Sequence, residues 1–129
     1  MGFTFVNELP TPDMIREQFP LAPNLAEAKL QRDEEIKNVL TGESDKFIVL
    51  IGPCSADNED SVVDYTSRLV KVQEKTKDRL IIIPRVYTNK PRTTGEGYMG
   101  MIHQPDPEKK PDMFEGILAI RHMHMRVMR

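Results

Sequence analysis

Two short apolar runs, Phe47–Ile51 and Leu80–Ile83, constrain the fold more than any other feature of the chain. Each is continuous and of strand length, the pattern of a strand buried on both faces. Between them Val62, Tyr65, Leu69 and Val72 sit at i, i+3, i+7 and i+10, one face of a helix that ends near Thr76. Asp57, Asn58, Glu59 and Asp60 form an acidic start for that helix, favourable against its dipole, and Lys75 and Lys77 suit its end. Strand, helix and strand within about 40 residues make a βαβ unit, so the strands must run parallel with a right-handed crossover. Both C-terminal strand ends then point the same way. Gly52-Pro53-Cys54-Ser55 leaves the first end, and the second strand, read as Leu80 to Val86, delivers Arg85 beside it.

Beyond the second strand the chain turns abruptly cationic. Arg85, Lys90 and Arg92 are joined by the hydroxyls of Thr93 and Thr94, and Pro84 and Pro91 stiffen the backbone on either side. Ligands of parallel α/β sheets bind at this end of the strands. Arginine forks suit phosphate or carboxylate, and lysine adds a compact point charge, so the segment reads as an anion site. The plainer alternative is a strand followed by a solvated basic loop.

The rest of the chain frames this unit. Thr11 caps a short helix from about Asp13 to Phe19, with Pro12 in its first turn and Pro20 ending it. Met1 to Val6 reads as an arm or added strand whose Phe3, Phe5 and Val6 need cover from elsewhere. Asn24 and Glu27 have capping-box spacing for a second helix that runs to about Thr41 with Gly42 at its end. Leu25, Ala28, Ile36, Val39 and Leu40 form its stripe, and its many charges mark a surface element. Residues 95–111 form a long loop rich in glycine and proline, a length that is usually functional or mobile. A last helix starts at Asp112, with Glu115 at capping-box spacing, and runs to the end of the chain. Phe114, Ile117, Leu118, Ile120, Met125 and Met128 leave it little polar face, so it requires cover on more than one side.

Composition limits the function classes. The 129 residues suffice for one ordinary domain, and 39% apolar with 29% charged residues suits a globular protein. A net charge of −2 argues against general nucleic-acid binding and makes the local cations a site rather than part of a basic face. No apolar run approaches the ~20 residues of a membrane span, and the N-terminus lacks the pattern of a secretory signal. The single cysteine excludes an internal disulfide and fits a reducing, cytoplasmic setting.

Cys54 in Gly52-Pro53-Cys54-Ser55, together with Arg85-Val86-Tyr87-Thr88-Asn89-Lys90-Pro91-Arg92-Thr93-Thr94, resembles the class I 3-deoxy-D-arabino-heptulosonate 7-phosphate (DAHP) synthases of the long, feedback-regulated branch. Gly-Pro-Cys-Ser alone is a weak match; the second motif is much more specific, and the spacing agrees. Gly97 to Pro105 resembles the family's next segment, with one extra residue near Glu96. The resemblance covers essentially the whole chain and about the first third of a family member, whose (β/α)₈ TIM barrel needs ~250 residues. It implies α/β architecture: a helical N-terminal extension over residues 1–45, then two βα units of an incomplete barrel over residues 46–129.

The implied chemistry is the condensation of phosphoenolpyruvate with erythrose 4-phosphate, the first step of aromatic amino-acid biosynthesis, with a divalent metal (Mn, Fe, Co or Zn). By resemblance Cys54 is a metal ligand, and Arg85 and Lys90 are the catalytic cations that contact phosphoenolpyruvate. Lys90 lies between the two substrates, Pro91 belongs to the same binding motif, and Arg92 and Thr93 hold erythrose 4-phosphate. The family's other metal ligands, a histidine, a glutamate and an aspartate, lie on late strands that this chain lacks. His103, His122 and His124 match none of them, and a lone Cys54 does not hold a metal tightly. The expectation is therefore a DAHP synthase sequence present as an N-terminal piece and inactive alone. The alternative is a non-catalytic anion-binding or assembly module derived from the same family. The implied partners are small phosphorylated substrates and further copies of the chain in a homo-oligomer, with no nucleic acid and no membrane.

Overall fold

A computed structural model describes residues 2–129; of the N-terminal arm, Met1 lies outside the described residues. The elements follow in the order α1 (Pro12–Gln18), α2 (Pro23–Leu40), β1 (Phe47–Ile51), α3 (Glu59–Thr76), β2 (Leu80–Pro84) and α4 (Met113–Val127). The architecture is α/β. β1 and β2 pair in parallel, with Phe47 opposite Leu80 and Ile51 opposite Pro84, as the βαβ spacing requires. Among the described residues the sheet has two strands and does not close into a barrel. Among the described residues no helix is long and apolar enough to cross a membrane.

Helix starts follow local chemistry. Thr11 accepts a hydrogen bond from the Met14 N–H at the start of α1, Asn58 accepts from Ser61 at α3, and Asp112 accepts from Glu115 at α4. The expected cap at Asn24 is corrected: the N-cap is Ala22, two residues earlier, α2 begins at Pro23, and no side chain caps it. Proline's fixed φ and missing N–H suit the first helical position, so Pro23 overrides the capping box. Gly42 follows the helix in left-handed conformation, as expected.

The face that α3 turns inward differs from the one read in sequence. Val62 and Thr66 are buried, while Val72 is 46% exposed. The inward row is Val62, Thr66, Leu69 and Gln73, and its last member is polar for a reason. The Gln73 amide donates to the Leu80 carbonyl at 2.9 Å and accepts from the Ile82 N–H at 2.6 Å. It thus pairs backbone groups of β2 that β1 does not serve, and an apolar residue there would leave them unpaired. The buried Thr66 hydroxyl is satisfied inside its own helix by the Val62 carbonyl at 2.8 Å.

The core does not lie beneath the sheet. It lies where the strand exits, the loop and α4 converge: Ala56, Val62, Met101 and Met123 form its buried cluster, with Val86, Ala119, Ile120 and Val127 packed against it. This corrects two expectations. β1 is not a buried strand, since Phe47 is 73% and Leu50 69% exposed. Exposed side chains lie on both faces of the strand, Phe47 and Ile51 on one and Leu50 on the other, whereas a buried parallel strand needs a covering layer on both. β2 ends at Pro84 rather than Val86, and Ile81 is its one buried residue. Large apolar exposure is found on β1, and also on the N-terminal arm, where Phe3, Phe5 and Val6 lack the cover they need and are almost fully exposed. On α4, Met123 and Met125 are buried and Met113 and Met128 are the exposed ends.

Candidate functional site

Two strand exits meet through a close backbone approach. The Arg85 N–H donates to the Ile51 carbonyl at 2.8 Å, and the Ala56 N–H donates to the Tyr87 carbonyl at 2.9 Å, so pairing continues past both strands. Gly52 sits inside this step: a Cβ there would lie 1.8 Å from the Arg85 carbonyl oxygen. Only glycine lets the two exits come this close.

That approach brings together the residues read from sequence. The Arg85 guanidinium donates to the Pro53 carbonyl at 2.9 Å, and the Lys90 ammonium donates to the Cys54 sulfur at 3.0 Å. Residues 36 positions apart therefore touch, and Cys54 lies beside the cations as the parallel topology demands. The Lys90 hydrogen bond and charge, opposed by desolvation and helped to a smaller extent by Arg85 and Ser55, hold the Cys54 thiol below its ordinary pKa. A low thiol pKa favours thiolate, the form that binds metals.

Tyr87 is the residue that sequence reasoning passed over. Its ring centroid lies 5.2 Å from the Arg85 guanidinium carbon and 6.0 Å from the Lys90 nitrogen, so one ring serves two cations that would otherwise repel. The signal was an aromatic residue placed between cations in a loop.

Pro91, Arg92 and Thr93 are exposed on the outer part of the loop. Arg92 is held by the Tyr98 carbonyl, which accepts from both Nε and Nη2 at 3.1 Å, leaving the rest of its fork free. The cleft lined by Arg32, Lys46, Leu69, Gln73 and Ile82 contains none of these groups. The site is thus an open cationic rim at the strand tips.

The histidines lie elsewhere. His103 is in the loop; His122 faces Glu59, with Nδ1 2.9 Å from the carboxylate, and forms part of an α3–α4 clamp with Arg126 and Asp60. His124 is half-buried, and burial followed by the charge of Arg121 lowers its pKa, which disfavours the cation. Among the described residues no three His, Cys, Asp or Glu side chains converge to hold a metal ion. The thiolate suits Mn, Fe, Co or Zn better than Mg.

Comparison with known proteins gives a consistent picture. The family model described as "DAHP synthetase I family" matches residues 23–117. The phenylalanine-inhibited phospho-2-dehydro-3-deoxyheptonate aldolase of Saccharomyces cerevisiae is 33% identical over 119 residues, 92% of this chain and 32% of that protein. The Phe-sensitive enzyme of the same name from Escherichia coli K12 is 34% identical over 118 residues, 92% of this chain and 33% of its own length. The solved structure of the Francisella tularensis phospho-2-dehydro-3-deoxyheptonate aldolase superposes with a TM-score of 0.89 at 26% identity, over 98% of this chain and 37% of that one. The chain thus spans about a third of the length of these curated relatives.

Proposed function

Because the chain belongs to the DAHP synthetase I family, we propose that its strand tips supply the substrate-anion site of a 3-deoxy-7-phosphoheptulonate synthase. The reaction is the condensation of phosphoenolpyruvate with erythrose 4-phosphate. In this reading residues 46–129 are two βα units of a (β/α)₈ barrel, and residues 1–45 are an extension whose exposed arm reaches another copy of the chain.

Arg85 and Lys90 hold phosphoenolpyruvate, with Lys90 toward the second substrate. Arg92 and Thr93 take the sugar phosphate, and Pro91 keeps the loop between them stiff. Two anions repel, and bringing them together from solution is costly in entropy; fixed cations offset both effects. The hydrogen bonds of Arg85 and Arg92 to backbone carbonyls matter here, because cations already oriented need not reorganise when the anion arrives. Cys54 fits as one thiolate donor to a divalent metal whose other donors come from outside the described residues. Such an ion acts as a Lewis acid on the aldehyde when bound.

The observation that carries this reading is the 3.0 Å contact between Lys90 and Cys54, with Arg85 anchored at Pro53, at the C-terminal end of two parallel strands. Calorimetric titration of the 129-residue chain with phosphoenolpyruvate tests it. Binding is expected, with loss of at least about tenfold in affinity for Arg85→Ala, the scale of one charge-assisted hydrogen bond. Equal affinity in Arg85→Ala and the unaltered chain sinks the site. With erythrose 4-phosphate and Mn²⁺ added, no phosphoenolpyruvate consumption is expected from this chain alone. A second reading, a non-catalytic anion-binding module of the same family, needs only the cations at the strand tips and no converging set of metal ligands, and among the described residues no three such side chains converge. Restored turnover on adding the remaining length of a relative excludes it.

A further inference from the structure

The segment Tyr98–Ile102 lies across the cationic loop and is bonded to it on both sides of Lys90. The Lys90 N–H donates to the Met99 carbonyl at 2.8 Å, and the Ile102 N–H donates to the Thr88 carbonyl at 3.1 Å. The Tyr98 carbonyl takes two hydrogen bonds from Arg92. Three groups of one short segment therefore fix the backbone at Thr88, the backbone at Lys90 and the side chain of Arg92. The segment is itself anchored. Met101 is 3% exposed within the core, and the Tyr98 hydroxyl donates to the Gln104 carbonyl at 3.0 Å.

Two glycines set the separation of this segment from its neighbours. Gly100 is buried with φ +107, and a Cβ there would lie 2.3 Å from the Thr88 carbonyl oxygen. Gly116, in the first turn of α4, faces the segment's other side: a Cβ there would lie 2.1 Å from the Ile102 carbonyl oxygen. The loop, the segment and α4 are stacked backbone on backbone, with no side chain in either gap to absorb a shift.

We infer that Tyr98–Ile102 is a strap that sets the placement of Lys90 and Arg92, and that Gly100 is its positioning residue, acting on the anion site through the backbone of Thr88. This rests on the anion-site reading above for its functional consequence, though not for its geometry. The strap also orders part of the long glycine- and proline-rich loop: Gly100 and Met101 are buried, while residues 93–97 and 107–111 on either side are exposed.

Amide exchange followed by NMR on the 129-residue chain, with phosphoenolpyruvate titration alongside, tests the inference. In Gly100→Ala, exchange of the Lys90 and Ile102 amides and of the Arg92 Nε–H is expected to speed up at least about tenfold while α3 keeps its protection. Phosphoenolpyruvate affinity is expected to fall several-fold with it. Gly95→Ala is the control. It has the same left-handed strain (φ +72) but nothing within 4 Å of its Cβ, so those three sites are expected to exchange as before. A folded Gly100→Ala with unchanged exchange at all three overturns the inference, as does an equal effect from Gly95→Ala. If Gly100→Ala does not fold, the unaltered chain decides. Lys90 and Ile102 amides protected like those of α3 support the strap, and amides exchanging as fast as that of Glu96 overturn it. Absence of phosphoenolpyruvate binding in the unaltered chain removes the anion-site reading, and the exchange result still decides the strap.

Discussion

The strand tips and the strand flank of this molecule are finished to different degrees. At the tips, backbone groups from both exits, the strap and the cationic loop find partners within the chain, and the buried Ala56, Val62, Met101 and Met123 lie directly beneath. A few residues away along β1, Phe47 and Leu50 stand largely in solvent on a two-stranded sheet with open edges. The difference teaches that the site geometry does not depend on sheet closure. Local hydrogen bonds and a small core at one end of the βαβα unit hold it, whereas the apolar flank contributes little until something covers it.

Three substitutions bear on that contrast. The largest effect is expected at the tip-side core. Met123→Ala removes a side chain with no exposed surface and should cost about 2–5 kcal/mol in chemical denaturation. Leu50→Ala on the flank should cost less than about 0.5 kcal/mol by the same measurement. Equal losses at the two positions would break the comparison, because they would mean that the flank is buried in solution. Leu50→Ser should also reduce any self-association seen by sedimentation, since exposed apolar patches drive it.

An intermediate effect is expected where the two regions join. Gln73→Leu keeps the volume of the half-buried residue but removes both of its bonds to β2, leaving the Leu80 carbonyl and Ile82 N–H without it. A loss of about 1–3 kcal/mol is expected in the same denaturation series. No loss would show that water replaces the amide freely and that the junction is looser than described.

The smallest energetic effect belongs to the exposed pair at the tips, and it is read in pH rather than stability. The Cys54 thiol pKa is lowered, chiefly by the Lys90 hydrogen bond, so thiolate persists to lower pH than in an ordinary cysteine. The rate of alkylation by iodoacetamide against pH should therefore rise at lower pH than for a free thiol, and Lys90→Met should move that rise upward. An unmoved profile would mean that the ammonium does not rest on the sulfur, and the tips would lose the contact that distinguishes them from the flank.

Much of this was legible in residues alone, because it depends on neighbours in the chain. Proline at the start of α1, the acidic start of α3 and Asp112 at α4 each satisfy or replace helix-end groups nearby in sequence. The βαβ spacing determined parallel strands, and parallel strands put Cys54 near Arg85 and Lys90 whatever the function. The family resemblance rested on those same residues, and the comparisons agree with it.

What the sequence could not decide concerns partners distant along the chain. Whether α3 turns Val72 or Gln73 inward depends on which backbone groups of β2 go unserved, and that is known only when the strand lies beside it. Tyr87 matters through two cations brought to one ring, and Gly100 through a carbonyl twelve positions earlier that packs against it. The apolar run at β1 looked like a buried strand because side-chain hydrophobicity records what a segment tolerates, while burial depends on whether another layer is present to exclude water. Short-range bonding and chain length thus determined the elements and their direction. Close packing between distant segments decided which atoms meet, since hard-sphere contact is set by three-dimensional position and leaves no periodic mark in the sequence.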